Sequence, residues 1–311
     1  MALASAKTTV IPVQAGAHLS MATFQAFLCQ GCQRRYTPGQ ADSESGASLM
    51  NATRGVTLKL FCILGVALLA IAAVAWMPPV PQDPAYHDFA DQRTLYGIPN
   101  YWNVVSNLAF VIAALPGLLL LTGKLPLAGG LPELRPVYLV FFVGVLLTGF
   151  GSAYYHLDPT NASLVWDRLP MTLAFMAFFS MIVGEYLSPG PGRALLWPLL
   201  VVGVLSIVYW HITESEGRGD LRPYALVQFL PMALIPMILL LFRPRLSGSV
   251  FLWAMIAAYV ISKVTEHFDA ELYAASATLS GHSIKHVAAA VGTLFIYIAL
   301  HKRRLIRGNS R

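Results

Sequence analysis

The stretch Gly281-His282-Ser283-Ile284-Lys285-His286 opens the last apolar segment of the chain, which continues to about residue 301. His282 and His286 are four residues apart, so on a helix they lie on one face, about 6 Å apart along the axis. At this separation two imidazoles can share one metal ion. An isolated pair of this kind is more often a pair of interfacial histidines on a membrane helix, so the rest of the chain must decide between the two interpretations.

The composition is that of an integral membrane protein. Of 311 residues, 56% are hydrophobic and only 12% are charged, whereas soluble domains carry about 25% charged residues. The net charge of +6 needs no nucleic-acid partner, because a basic cluster follows the last apolar segment, as in a cytoplasmic tail. The cluster comprises Lys302, Arg303, Arg304, Arg307 and Arg311. Three cysteines give no disulfide framework, and the single pair Cys29 and Cys32 has no partner pair that indicates zinc or redox chemistry.

Residues 1–50 differ from the rest of the chain. They are polar, rich in Ser, Gly, Ala and Gln, and without a sustained period, which predicts disorder. The run from Val10 to Gly16 resembles a translated bacterial intergenic repeat, and Met50 is a natural alternative start. We therefore expect 1–50 to be a disordered or mis-annotated extension and 51–311 to form a polytopic membrane domain, in a bacterial inner membrane.

Eight apolar segments follow, each long enough to cross roughly 30 Å of hydrocarbon. They cover residues 56–77, 101–122, 136–156, 165–187, 194–213, 222–242, 249–268 and 281–301. Short loops rich in Gly, Pro and charged residues separate most of them, and the exception is the long, acidic and aromatic stretch 78–100. The predicted fold class is an all-α integral membrane protein with eight spans.

The distribution of Lys and Arg predicts the orientation of these spans. Alternate loops carry Arg135, Arg193, Arg243 and Arg245 on the same side as the basic C-terminal tail, and this side is expected to be cytoplasmic. The opposite loops are mainly acidic. With eight spans, the N-terminus also lies in the cytoplasm.

This orientation brings polar and ionisable residues of several spans to the outer side of the membrane. Five such residues are Ser152, His156, Asp167, His282 and His286. His211 and His267 are expected at the same depth. Polar groups inside a membrane are costly and usually face the interior of the bundle at a functional site, so their convergence favours a site over isolated interfacial histidines.

Three histidines suit a zinc ion with an open fourth position, which lowers the pKa of water and polarises a carbonyl. Asp167 is then a candidate general base, and Ser152, one turn before His156, a candidate donor to an oxyanion. The alternatives are structural. Ser152 can be a small residue that allows close helix packing, and Asp167 a charge favoured by a helix N-terminus.

The loop 78–100 offers a second candidate metal site. Asp88, Asp91 and Asn100 carry the hard oxygen ligands that calcium prefers, although a solvated acidic loop is an equal alternative. Asn103, Ser106 and Asn107 follow at the start of a membrane helix, where they need buried partners. We expect these three residues to tie this helix to its neighbours.

Taken in order, these residues resemble the motifs of the alkaline ceramidases, which belong to a wider group of membrane hydrolases that includes the progestin and adiponectin receptors. The motifs are Asn103-Val-Val-Ser106-Asn107, Gly151-Ser152-x-x-x-His156, Asp167-Arg168-Leu169-Pro170-Met171 and His282-x-x-x-His286. The resemblance covers roughly 86–300, segments two to eight. It implies a seven-helix ceramidase-like bundle to which segment one is added at the N-terminus.

The resemblance also implies a function and its residues. It implies a zinc-dependent amide hydrolase that splits ceramide into a sphingoid base and a fatty acid, with His156, His282 and His286 as zinc ligands, Asp167 as acid and base, and Ser152 beside the reacting water. The family's calcium site maps to Asp88, Asp91 and Asn100, but Arg93 stands where an oxygen ligand is expected and can itself replace the cation. Glu266 corresponds to a polar residue that can orient the substrate.

Other functions remain open from the sequence. In a bacterium the substrate can be another N-acyl lipid. A receptor or sensor with a structural zinc would use Asp167 as a fourth ligand and close the metal shell. A proton or metal transporter needs polar residues across the whole bilayer, and the apolar runs 118–121 and 239–242 argue against it. The oligomeric state is not indicated.

Overall fold

The structure is a computed structural model that describes residues 43–123 and 127–306, with the backbone alone for 43–53. Ten α-helices occur in these ranges: α1 (Ser43–Trp76), α2 (Tyr101–Val105), α3 (Leu108–Thr122), α4 (Arg135–Leu157), α5 (Asn161–Tyr186), α6 (Pro189–Ser215), α7 (Arg222–Leu241), α8 (Val250–His267), α9 (Asp269–Ser276) and α10 (Gly281–Lys302). Cys29, Cys32 and residues 1–42 of the predicted extension lie outside the described residues. The predicted boundary at residue 50 falls inside α1.

The structure has the helices of a multi-pass membrane protein. Among the described residues, seven helical stretches are long and apolar enough to cross a membrane, and α2 and α3 together form one of them. They coincide with seven of the eight predicted segments. The remaining segment, 249–268, folds into α8, which ends in Lys263, Glu266 and His267 and is therefore less apolar. The predicted all-helical membrane fold is confirmed, and the count of eight spans is not.

Short connections make successive long helices antiparallel, so the bundle has two distinct ends. At the site end, α4 finishes and α5 and α10 begin; at the tail end, α5 and α10 finish. α5 packs against α4 and α6, while α10 packs against α8 and α3. α1 packs against α7, and the Arg222 side chain donates to the Met77 carbonyl at the end of α1.

Side-chain caps fix the starts of the two helices that carry most candidate residues. Before α5, Thr160 Oγ1 accepts from Ser163 N (3.1 Å), and Ser163 Oγ accepts from Thr160 N (3.0 Å). Before α10, Ser280 Oγ accepts from Ser283 N (3.2 Å). These bonds satisfy backbone groups that a helix end leaves unpaired, so they set where each helix begins.

Two glycines allow the helices to touch beside the candidate residues. A Cβ on Gly151 would collide with the Trp166 carbonyl, and one on Gly281 would collide with the Thr265 carbonyl. Pro170 has no N–H, so the Trp166 carbonyl four residues earlier lacks its helical donor and is free to face Gly151. The close approach brings Ser152 of α4 next to Asp167 of α5.

The tail end contains a buried ion pair that involves one of the predicted tail cations. Arg303 is 2% exposed, and its guanidinium donates to both Glu185 carboxylate oxygens at 2.7 and 2.6 Å. Tyr138 donates to the same carboxylate at 2.8 Å. Arg303 of the basic cluster thus pairs with Glu185 inside the bundle, where each charge offsets the cost of burying the other.

Candidate metal centre

Three histidines from two helices meet at the site end. His156 lies at the end of α4, and His282 and His286 lie in the first turns of α10, with exposures of 1%, 5% and 4%. One nitrogen from each lies within 4.8 Å of those of the other two. We call these residues the histidine cluster. Within the described ranges it is the one group of three or more His, Cys, Asp or Glu residues able to hold a metal ion.

The spacing of the histidine cluster fits a tetrahedral metal. His156 Nε2 and His282 Nε2 are 3.3 Å apart. Two nitrogens bound tetrahedrally to zinc at 2.0–2.1 Å are about 3.3–3.4 Å apart. His156 Nδ1 is buried and has no hydrogen-bond partner among the described residues. A metal held through Nε2 leaves Nδ1 without a partner, so the fit to a metal rests on the Nε2 spacing and on the three-histidine donor set.

Hydrogen bonds from α2, its flanks and α9 hold the cluster in place. Ser106 Oγ lies 2.8 Å from His286 Nδ1, which leaves Nε2 of that ring for a metal. Asn100 Nδ2 donates to the His156 carbonyl at 3.0 Å, and Asn103 Oδ1 accepts from Ser283 Oγ at 2.7 Å. Asn103 and Ser106 thus tie this span to α10 as predicted. Asn107 does not, because its Nδ2 donates to the Asn103 carbonyl of the same span at 2.7 Å.

The outer loop, residues 78–100, closes over the cluster. Asp269 accepts from the backbone nitrogens of His282 (2.6 Å) and Ala90 (2.9 Å), which joins the start of α10 to the loop. The Phe89 ring centre lies 4.7 Å from that of His156 and 4.4 Å from that of His282. Phe89 therefore covers the two rings with an apolar surface that excludes water.

Asp167 and Ser152 lie beside the cluster on the wall of a cavity of about 430 Å³. Ser152 and Asp167 line the same cavity, and the two residues are 2% and 8% exposed. His286 lines the same cavity. From this point the cavity continues toward the tail end between apolar side chains, among them Phe110, Phe141, Val145, Phe178 and Ala289.

Sequence reasoning missed an ion cluster on the opposite wall of the cavity. Lys285 Nζ and Lys263 Nζ contact the two oxygens of Glu266 at 2.5 and 2.6 Å. The sequence analysis named Glu266 as a residue that can orient the substrate, and Lys285 lies inside the histidine motif, one residue before His286. Their ion pair was not predicted. Phe89 was missed as well, because it sits in an irregular loop whose acidic residues suggested a calcium site.

Calcium has no support at the predicted positions. Arg93 donates to both carboxylate oxygens of Asp91 at 2.8 Å, so a guanidinium occupies the place of the cation. Asp88 is exposed, and the Asn100 amide is turned to His156. Burial raises the pKa of Asp91, but the hydrogen bonds and charge of Arg93 outweigh it and hold that pKa below its ordinary value.

Two further predicted histidines lie apart from the cluster. His211 and His267 both have exposed side chains, on α6 and α8. The prediction grouped them with the cluster only because of their depth in the membrane. A single sequence does not show which face of a helix is turned toward its neighbours. His87 was not predicted, and it bonds to Tyr155 Oη and Asn161 Oδ1, both at 2.9 Å.

Comparison with known families agrees with this geometry. The sequence model of the family described as Ceramidase matches residues 93–310, more than half of the chain. The chain belongs to the ceramidase family. The match begins after α1, which agrees with an added N-terminal helix. No curated protein matches the chain. Membership of the ceramidase family supports hydrolysis of a lipid amide, and the buried histidine cluster is compatible with a metal ion in that role.

Proposed function

We propose that this ceramidase-family protein is a zinc-dependent hydrolase that cleaves ceramide or a related N-acyl lipid into an amine, such as a sphingoid base, and a fatty acid. The observation that carries the proposal is the histidine cluster beside Asp167 on the wall of a cavity with apolar walls. One cavity thus presents both the residues for the metal chemistry and the apolar surface for an acyl chain.

The protein residues supply the proton transfers and the binding. A zinc ion held by His156, His282 and His286 supplies Lewis acidity, which acidifies water and polarises the amide carbonyl. Asp167 accepts a proton from the attacking water and returns it to the leaving nitrogen. The water oxygen bonds to the acyl carbon to give a tetrahedral oxyanion, and the carbon–nitrogen bond breaks when this species collapses to the fatty acid and the amine that Asp167 has protonated. Ser152 orients Asp167 and donates to the oxyanion.

The cavity suggests how the lipid lies. The candidate residues are near the site end, and the apolar walls run toward the tail end, deeper in the bundle. An acyl chain extends along these walls while the headgroup stays at the site end. We place the site end at the periplasmic side of a bacterial inner membrane, because the basic residues lie at the tail end.

The first test measures fatty-acid release from a panel of N-acyl lipids by purified protein with and without a zinc chelator. We expect release that the chelator abolishes and zinc restores, and loss of both zinc and activity in His282→Ala. The matched control is His301→Ala, which removes an exposed histidine at the other end of α10 and keeps both. Absence of release from every amide by folded, zinc-loaded protein would contradict the proposal.

Asp167→Asn separates catalysis from metal binding in the same assay. A general base contributes about 10²- to 10⁴-fold, so turnover falls by that factor while bound zinc, measured by elemental analysis, stays at the wild-type level. If the variant loses zinc, Asp167 is a fourth ligand instead, which favours a structural metal and a receptor or sensor.

A further inference from the structure

Arg168, the residue after Asp167, is a buried cation without a carboxylate partner among the described residues. It is 5% exposed, and its Nη1 is buried with no hydrogen-bond partner in the described chain. By contrast, the buried Arg303 pairs with Glu185, and the half-buried Lys285, on the wall of the same cavity, pairs with Glu266. Because an uncompensated charge inside a membrane protein is costly, Arg168 stands out.

An aromatic cage holds the guanidinium of Arg168 in place. Its central carbon lies 4.5 Å from the ring centre of Trp210, 4.9 Å from that of Tyr224 and 5.3 Å from that of Tyr86. Nη2 donates to Gln82 Oε1 at 2.6 Å. Cation–π contacts and one amide stabilise and orient the group, but none of these partners neutralises its charge.

Asp167 acts on Arg168 through its charge without an ion-pair contact, and the other nearby acids are engaged elsewhere. Glu214 accepts from Gln82 N (3.0 Å), Trp210 Nε1 (3.1 Å) and Asn161 Nδ2 (3.3 Å). Asp83 lines the same cavity, but its side chain accepts from Ala85 N and forms no ion pair with Arg168.

The position of Arg168 relative to the proposed chemistry indicates which part of a lipid it would meet. Arg168 and Asp167 are consecutive on α5, and both line the cavity. The apolar walls formed by Phe141 and Phe178 lie deeper, since Phe178 is ten residues further along α5, about 15 Å. An acyl chain on these walls leaves the amine side of the amide next to Arg168.

We propose that Arg168 is an anion-binding subsite and that the preferred substrate carries a carboxylate or phosphate close to the nitrogen of its amide. The inference rests on the proposed function for the position of the amide, but the anion subsite is testable by binding alone. A guanidinium presents a planar fork that matches either anion, and Nη1 is the donor still available.

The test measures binding to zinc-loaded Asp167→Asn protein, in which turnover is slow. One pair of probes is N-palmitoylglycine and its methyl ester, and the other is ceramide 1-phosphate and ceramide. We expect the anionic member of at least one pair to bind about 10- to 100-fold more tightly, the effect of a hydrogen bond to a charged group. The pair that shows the larger ratio distinguishes a carboxylate from a phosphate headgroup.

Variants then assign the preference to Arg168. Arg168→Gln keeps a neutral donor and should abolish the ratio, while Arg168→Lys keeps a charge without the planar fork and should give an intermediate ratio. Arg193→Gln is the matched control, because Arg193 is exposed on α6 at the tail end and does not line the cavity. If Arg168→Gln does not fold, the test compares the anionic-to-neutral binding ratio of the Asp167→Asn protein with that of Arg168→Lys. An equal ratio in the two proteins contradicts the role of Arg168.

Each outcome separates this inference from the proposed function. Equal binding of anionic and neutral probes, together with zinc-dependent release from neutral ceramide, overturns the anion subsite and leaves the hydrolase intact. A preference that survives in Arg168→Gln also overturns it. Anion-selective binding without hydrolysis of any amide supports the subsite and contradicts the hydrolase.

Discussion

Ser106 supports the histidine cluster but is not a proposed metal ligand, so its role can be tested by mutation while all three ligands remain. Its hydroxyl lies 2.8 Å from His286 Nδ1 and so fixes the ring orientation. Loss of such a partner lowers metal affinity by about 10- to 100-fold. We expect Ser106→Ala to weaken zinc binding by that factor, as measured by competition with a chelator, and activity to return at high zinc concentration.

The control for this prediction lies on the same membrane span. Thr122 is exposed at the opposite end, and its hydroxyl bonds only to the Leu118 carbonyl (2.8 Å). Thr122→Ala should leave zinc affinity unchanged. Unchanged affinity in Ser106→Ala would show that packing, not this hydrogen bond, orients His286.

At the residue scale, spacing predicted the groups that helices bring together. His282 and His286 share a face because of their four-residue separation, and His156 and Asp167 were placed by the ends of their spans; the structure brings the three histidines and Asp167 together. The partners of Arg168 and the position of Phe89 could not be predicted. Phe89, and Gln82 and Tyr86 beside Arg168, depend on the outer loop, whose path follows from tertiary hydrogen bonds such as Ala90 N to Asp269. Trp210 and Tyr224 meet Arg168 through helix packing, which a single sequence does not show.

At the element scale, the tail ends of α5 and α10 are joined by the ion pair of Glu185 and Arg303. The Arg303–Glu185 pair is 1% exposed on both sides, with two short hydrogen bonds. Removal of one partner of a buried pair costs about 3–5 kcal/mol, because the other charge stays buried. We expect Arg303→Ala to lower the midpoint of thermal unfolding in detergent clearly.

Arg304→Ala is the control for the prediction on the Arg303–Glu185 pair. Arg304 is the next residue and is exposed, so its side chain should contribute within about 0.5 kcal/mol. If the two variants unfold at the same temperature, the buried pair is not a source of stability. A Glu185→Gln/Arg303→Gln double variant that regains stability would identify the unpaired charge as the cause of the loss.

The helices themselves were largely predictable, since long apolar runs between polar loops specify spans. α8 is the instructive exception. Its last turn holds Lys263 and Glu266, which lower its apolar character, but Glu266 forms ion pairs with Lys263 and with Lys285 of α10. A hydropathy scale counts these charges against a membrane span. In the folded protein, ion pairs between helices stabilise them, and a single sequence does not show such pairs.

At the scale of the whole molecule, the two ends of the bundle differ in chemistry. The site end carries the histidine cluster, the part of the cavity lined by Ser152 and Asp167, and the acidic outer loop. The tail end carries Lys59, Arg135, Arg193, Arg243 and Arg245. Basic residues remain on the cytoplasmic side during insertion. The proposed orientation, with the site facing the periplasm, follows from this asymmetry.

Cysteine labelling tests the orientation. In a background with Cys29, Cys32 and Cys62 replaced by Ser, Tyr96→Cys introduces a thiol in the outer loop, where Tyr96 is 89% exposed. Glu133→Cys introduces one at the exposed tail end, just before α4. In bacterial spheroplasts a membrane-impermeant maleimide should label Tyr96→Cys at once and Glu133→Cys only after lysis. The reverse pattern would place the histidine cluster on the cytoplasmic side, and the lipid amide would then have to reach the site from the inner leaflet.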